Sequence, residues 1–174
     1  EERLAADGTV LGHVYADLHP REGKFSHAAA FPLLVAHAGP DGRVTPVTAF
    51  LCNFPKPSAV RPSLLRHDDV VTLFHEFGHT LHHLLTRIGC PSVAGINGVA
   101  WDAVELPSQF MENFAWNYDV LTRCSSHHEL NKPLPRELFD KLDDSRHAGA
   151  ALAMLRQLEL GLFDFRVHAE YDPD

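Results

Sequence analysis

The segment HDDVVTLFHEFGHTLHHLLTRIG, residues 67–89, has the residue spacing of one long amphipathic helix. At roughly 100° per residue, six of its apolar side chains lie within roughly 40° of one line. These are Val70, Phe74, Phe77, Leu81, Leu84 and Ile88. Asp68 and Asp69 favour a helix start, and Gly89 followed by Pro91 favours an end. The segment therefore predicts a helix whose apolar stripe faces a core.

The other face of this helix carries the pattern HExxH. His75 and His79 lie one turn apart, roughly 140–180° from the apolar stripe. Two imidazoles at that separation can bind one cation, and Glu76 lies further round, where it can reach a water on that cation. The simpler alternative is an ordinary polar helix face, because HExxH also occurs by chance in unrelated helices. The motif alone therefore predicts a metal site without establishing it.

Three neighbours of the motif add to this prediction. Gly78 is a poor helix former that costs roughly 1 kcal/mol relative to alanine, so it indicates that another backbone or a substrate passes close. His82 is on the same broad face and is a candidate for a supporting contact. His83 is interpreted as a solvated or hydrogen-bonded side chain. For Gly78, the alternative to a close backbone or substrate is simple tight packing of side chains.

A catalytic zinc site takes three protein ligands and leaves one position open. The segment WDAVELPSQFMENF, residues 101–114, offers Asp102, Glu105 and Glu112 as a third ligand. A second helix predicted over 102–119 would return antiparallel to the first. Glu105 and Glu112 are seven residues apart and share a face, so one could bind metal while the other orients a ligand imidazole. Spacing alone does not choose among the three carboxylates.

The bulk composition argues against several classes of protein. The chain has 174 residues, of which 45% are hydrophobic, enough for a real core, and its net charge of −8 argues against a nucleic-acid binder. Cys52, Cys90 and Cys124 form no CxxC pair, which is typical of a reducing compartment. No signal peptide and no membrane-spanning stretch is visible, so a cytoplasmic location without membrane contact is expected.

The first part of the chain, residues 1–63, reads as strand-rich. Strands are predicted at 9–18, more weakly at 25–38, and at 44–54, where Pro46 indicates an edge position. This last strand could also pair with an extended peptide.

The second part, residues 64–174, reads as helical. Beyond the two helices already described, a third is predicted at 133–146 and a fourth, very apolar, at 148–168. Strands followed by helices predict the α+β class.

Longer stretches of the chain resemble a known family. HEFGHTLHHLLTRI, then a glycine-containing loop, then DAVELPSQFMENF is similar to the thimet oligopeptidase family. Upstream GHVYADLHPREGK and FLCNFPKP, and downstream LRQLELGLFDFRVHAEYDP, extend the resemblance over nearly the whole chain. It implies one zinc ion bound by His75, His79 and Glu105, with Glu76 as the catalytic general base. The implied reaction is hydrolysis of internal bonds in short peptides.

The same resemblance implies an α+β, mostly helical fold. A small N-terminal sheet would precede a zincin-type helical region carrying HExxH, and residues 1–174 would form one catalytic-core piece of a larger peptidase. Family members also have a large N-terminal helical lobe and a C-terminal glycine- and tyrosine-rich loop that contacts the substrate. Neither is found in this sequence, so the missing N- and C-terminal parts are expected partners, and oxyanion donors are expected beyond Asp174.

Two other functions are compatible with the motifs. The first is a non-catalytic fragment whose metal has only a structural or binding role. Structural zinc sites usually fill all four positions with Cys and His, so two histidines and one carboxylate favour an enzyme. The second is a different metal, such as iron or manganese, because the same ligand set suits non-haem iron. The position of Glu76 as a base argues against oxygen chemistry.

Overall fold

The computed structural model describes residues 8–172, and a small sheet comes first. The strands are β1 (His13–Asp17), β2 (Ala29–Leu34), β3 (His37–Gly39), β4 (Gly42–Val44) and β5 (Val47–Leu51). One sheet has the order β1-β5-β2, with β1 parallel and β2 antiparallel to β5, and β3 pairs with β4 in a separate hairpin. The core beneath the first sheet contains Phe50, Cys52 and Phe54, and Leu73 packs against it. The three predicted strand regions are thus confirmed within shorter bounds.

The position of β5 corrects two predictions. It is the central strand, so the edge position inferred from Pro46 is wrong. Pro46 lies just before the strand, where no ladder bond needs its missing N–H, and its carbonyl accepts the N–H of His13 at 3.0 Å. Pairing of an added peptide with β5 is also wrong, because β1 and β2 occupy both of its sides. The edge strand that contains a proline is β2, whose register shifts between Pro32 and Leu34.

A buried lysine closes one end of this sheet. The Lys24 side chain is 2% exposed. Its ammonium donates to the backbone carbonyls of Asp17, His19 and Cys52 at 2.8, 2.8 and 2.6 Å, and to the Asp17 carboxylate at 3.1 Å. These bonds tie the turn after β1 to the end of β5.

Helices follow the strands, which confirms the α+β prediction for the described residues. They are α1 (His67–Leu84), α2 (Leu106–Glu112), α3 (Tyr118–Cys124), α4 (Arg136–Arg146) and α5 (Ala150–Glu170), with 3₁₀ turns at Pro91–Val93 and Asn113–Trp116. Within residues 8–172, no helix combines the length and the apolar character that crossing a membrane requires.

Helix α1 begins as predicted but ends earlier. The Asp69 carboxylate accepts the N–H of Arg66 at 2.8 Å and so closes the first turn. The helix ends at Leu84 rather than near Gly89. The reason is tertiary: the Gly89 carbonyl accepts the N–H of Ala38 at 3.2 Å, so the chain after the helix turns towards β3.

The buried side of α1 is not the predicted apolar stripe. Of the six stripe residues, only Leu84 is buried, and Ile88 lies beyond the helix with 49% of its surface exposed. The other buried residues are Glu76, Gly78, Thr80 and His83. Helix α1 contacts β2 and β5 as well as α2, so its polar positions are enclosed by neighbouring elements instead of facing solvent.

The single helix predicted over 102–119 is wrong. Residues 102–105 form a turn, and α2 begins at Leu106 with Pro107 in its first turn, where proline is well tolerated. Asn117 has an extended backbone and separates the 3₁₀ turn from α3. Its side chain accepts the N–H of Val120 at 3.1 Å and caps α3.

The chain forms two compact units, one ending at Lys132 and one beginning at Pro133. Helices α4 and α5 make up the second unit and confirm the two helices predicted there, with small shifts of their ends. Helix α5 has no buried residue in the part of the chain that the structure describes. The prediction that 1–174 is one catalytic core stays a prediction.

Candidate metal centre

Helices α1 and α2 cross at Gly78, next to the HExxH motif. A Cβ atom added to Gly78 would lie 2.6 Å from the Pro107 carbonyl oxygen and 2.6 Å from the Ser108 Cα. Only glycine admits the second backbone this closely. The prediction that another backbone passes close to Gly78 is confirmed, and this approach sets the distance between the two helices.

Three potential ligand atoms converge beside this crossing. Nε2 of His75 and Nε2 of His79 lie 3.2 and 3.1 Å from the same oxygen, Oε2 of Glu105. Glu105 immediately precedes α2. The Ser108 hydroxyl contacts Glu105 Oε2 at 2.7 Å and the Glu105 carbonyl at 2.9 Å, which fixes the orientation of this carboxylate.

The other two candidate carboxylates occupy different positions. Oε1 of Glu112 lies 2.7 Å from Nδ1 of His75. A carboxylate accepts, so Nδ1 carries the hydrogen, and the other ring nitrogen of His75, Nε2, faces Glu105. Asp102 is exposed and outside the cluster. The structure thus brings Glu105 to both histidines, while Glu112 contacts the far side of one imidazole.

This donor set fits a tetrahedral cation such as zinc. Ligand atoms about 2.0–2.1 Å from a shared tetrahedral centre are about 3.3 Å apart. The distances from Glu105 Oε2 to the two Nε2 atoms, 3.2 and 3.1 Å, are close to that spacing. His75 Nε2 and a Glu105 carboxylate oxygen face each other directly, so a cation between them could take a ligand atom from each side. His79 Nδ1 is buried and has no hydrogen-bond partner among the described residues.

The model of peptidase family M3 matches residues 3–174. The chain belongs to peptidase family M3. The resemblance inferred from the HEFGH and VELPSQ motifs is therefore confirmed, and it extends to bacterial oligopeptidase A.

Relatives of this M3 family chain come from bacteria and eukaryotes. It is 52% identical over 166 residues to oligopeptidase A of Escherichia coli (strain K12), covering 95% of this chain and 24% of that protein. It is 45% identical over 168 residues to the thimet-like oligopeptidase of Dictyostelium discoideum, covering 95% and 25%. Saccharolysin of Saccharomyces cerevisiae is 44% identical over 159 residues, covering 91% and 22%. The chain spans about a quarter of the length of these curated relatives.

Burial and hydrogen bonding shift the pKa values of the charged groups in this candidate metal centre. The hydrogen bond from Ser108 lowers the pKa of Glu105, and burial lowers the pKa of His79. Both shifts favour the protonation states that bind metal, an ionised carboxylate and a neutral imidazole. Burial raises the pKa of Glu76, which is 7% exposed, and the nearby Glu105 charge raises it further. The neighbouring His75 and the backbone N–H of Ala30 both lower the pKa of Glu76 and partly offset this rise.

The two histidines that follow the motif, His82 and His83, differ from each other. His83 is fully buried, and its Nε2 lies 3.0 Å from the Leu34 carbonyl oxygen, so the hydrogen-bonded interpretation holds and the solvated one is wrong. His82 lines a cavity of about 520 Å³ between α1, α2 and the segment 91–99, together with apolar residues such as Phe110. The supporting contact expected of His82 is absent among the described residues, since its buried Nδ1 has no partner.

Sequence reasoning missed Ser108. The signal was present, because Ser108 lies three residues after Glu105, one helical turn further along the first part of α2. An acidic residue followed at that spacing by a serine predicts a bond that orients the carboxylate.

Proposed function

We propose that this chain carries the active site of a zinc-dependent endopeptidase that hydrolyses internal peptide bonds of short peptides. The convergence of Nε2 of His75, Nε2 of His79 and Oε2 of Glu105 carries the proposal. Membership of family M3, and relatives named oligopeptidase and saccharolysin, support a peptide substrate.

The proposed zinc ligands are His75, His79 and Glu105. Three protein ligands leave one position open, as in catalytic zinc sites and unlike most structural ones. When bound, zinc would supply Lewis acidity, polarising the scissile carbonyl and making a water molecule more acidic. Glu112 supports this role by keeping the Nδ1 hydrogen of His75 in place, which leaves Nε2 free to bind.

Glu76 is the proposed general base. Its neighbour in sequence, His75, is a ligand, and the charge of Glu105 acts on its pKa, so its carboxylate lies close to the donor set. The carboxylate accepts a proton from the attacking water and then donates it to the leaving amine. Burial raises the pKa of Glu76 above that of an exposed carboxylate, which makes it a stronger base.

The test combines metal analysis with a cleavage assay on the full-length protein. Elemental analysis gives zinc per chain, and a fluorogenic peptide gives the rate. Glu76→Gln should keep wild-type zinc and lower the rate by about 10²–10⁴, the usual contribution of a general base. Glu22→Gln, at an exposed position in the turn after β1, is the matched control and should change neither.

Each other outcome contradicts a different part of the proposal. Normal cleavage by Glu76→Gln means that Glu76 is not the base. Zinc near one per chain without any peptide cleavage indicates a structural or binding role. If the protein contains iron or manganese in place of zinc, the assignment of zinc is wrong. If it contains no metal at all, the proposed metal site itself is wrong.

A further inference from the structure

Helix α1 engages the backbone of β2 at two points. β2 is an edge strand of its sheet, so the sheet satisfies only one side of its backbone. The Glu76 carboxylate interacts with the N–H of Ala30, near the start of the strand. The His83 ring reaches the carbonyl of Leu34, at its end. Both α1 side chains are buried.

The spacing along the helix matches the spacing along the strand. Glu76 and His83 are seven residues apart, so they share a helix face and lie roughly 10 Å apart along the axis. Ala30 and Leu34 are four residues apart, which is roughly 13 Å along a strand. The two side chains can therefore engage β2 together only when strand and helix run side by side in one register.

His83 itself is held rigidly. A carbonyl only accepts, so Nε2 donates to Leu34 at 3.0 Å. On the other side of the ring, a Cβ atom added to Gly95 would lie 2.6 Å from His83 Nδ1, so the Gly95 backbone packs directly on the imidazole. Gly95 has φ +65°, a conformation that favours glycine. The His83 ring is thus held between Leu34 of β2 and the backbone turn at Gly95.

We propose that His83 is a positioning residue for the Glu76 carboxylate. By bonding to Leu34 it fixes the register of β2 against α1, and this register aims the Ala30 N–H at Glu76. Without the His83 bond, Leu34, at the end of β2 beside its register shift, is no longer held to α1. The Ala30 N–H, which orients the Glu76 carboxylate, then moves with the strand. This inference rests on the proposed function, because it assigns Glu76 the role of base.

The experiment compares three variants in the full-length protein. His83→Leu removes the N–H donor at similar volume, and His83→Gln keeps a donor of similar reach. His37→Leu is the control, since it removes another histidine–carbonyl contact, from His37 Nδ1 to Val35 at 2.9 Å, that does not link β2 to α1. The measurements are zinc per chain, kcat and KM separately, and hydrogen–deuterium exchange of a β2 peptide.

We expect His83→Leu to keep wild-type zinc and KM, with kcat about 10- to 100-fold lower, as for a catalytic group misplaced by about 1 Å. Exchange in β2 should become faster. His83→Gln should restore kcat and exchange, and His37→Leu should leave both unchanged. A merely structural role would lower stability and leave the kcat of the folded, zinc-loaded His83→Leu variant unchanged.

Three results would overturn the inference. The first is a wild-type kcat and wild-type exchange of β2 in His83→Leu. The second is a loss of kcat that His83→Gln does not restore. The third is a loss of kcat that is explained by a matching loss of bound zinc. If the Leu variant does not fold, Gln and Asn give the same contrast, because the Asn amide is one methylene too short to reach Leu34. If the wild type cleaves no peptide, the proposed function fails, and the exchange data still decide whether His83 positions β2.

Discussion

Gly78→Ala would place a methyl group where α2 crosses α1. The added Cβ would lie 2.6 Å from backbone atoms of Pro107 and Ser108, whereas ordinary contact begins at 3.4 Å. Neither neighbour is a flexible side chain, so α2 must retreat by about 0.8 Å to reach normal van der Waals distance. Glu105 immediately precedes α2, so its carboxylate moves away from the two histidines.

This displacement has two measurable consequences. Zinc binding should weaken by about 10- to 100-fold, the usual cost of disturbing the support of a ligand. Stability combines opposing effects, because alanine gains about 1 kcal/mol of helix propensity while overpacking costs about 1–3 kcal/mol. We therefore expect a net loss of up to about 2 kcal/mol, the reverse of the usual effect of Gly→Ala in a helix.

The assay is competition for zinc with a chelator, together with urea unfolding. Gly161→Ala in α5 is the control, because a Cβ there meets nothing within 4 Å among the described residues. It should leave zinc binding unchanged. If Gly78→Ala binds zinc like the wild type and is more stable by the full helix propensity, the close crossing of α1 and α2 does not exist and the reasoning is refuted.

Three further predictions concern buried charge and the ligand set. Glu76→Gln should stabilise the metal-free protein at neutral pH, because burial raises the pKa of that carboxyl. The folded protein then binds the proton more tightly than the unfolded chain, so this gain should shrink as the pH falls through the raised pKa, in urea unfolding at several pH values. Lys24→Met should cost roughly 2–3 kcal/mol of unfolding free energy, because three backbone carbonyls lose their donor, while exposed Lys56→Met should cost little. Glu105→Ala should weaken zinc binding far more than Glu112→Ala, and equal effects in a zinc titration would contradict the ligand assignment.

Local periodicity was sufficient to predict α1 and the histidine pair. Two residues four apart on a helix face the same way whatever surrounds them, so His75 and His79 could be paired from sequence alone. The seven-residue spacing of Glu105 and Glu112 likewise predicted two carboxylates on one face. Which of them contacts both histidines depends on where α2 crosses α1, and periodicity carries no such information.

The errors arose where tertiary contacts override local signals. Gly89 and Pro91 suggested a later end of α1, but the bond from Ala38 to the Gly89 carbonyl draws the chain away after Leu84. The apolar stripe suggested a helix with one buried face, but α1 is enclosed by β2, β5 and α2. Pro46 suggested an edge strand, although a proline just before a strand is compatible with a central one.

Helix α1 carries two of the three proposed ligands, the proposed base and the contact of His83 with β2 within nine consecutive residues. An inserted residue inside this stretch would rotate everything after it by about 100° relative to everything before it. No side-chain adjustment can restore that register, so the stretch 75–83 should accept no change of length. The connection between Leu84 and Glu105 is held at Gly89, by its bond to Ala38, and at Gly95, which packs on His83. Away from these two points an inserted residue rotates no helix, so natural insertions or deletions in related chains should concentrate there.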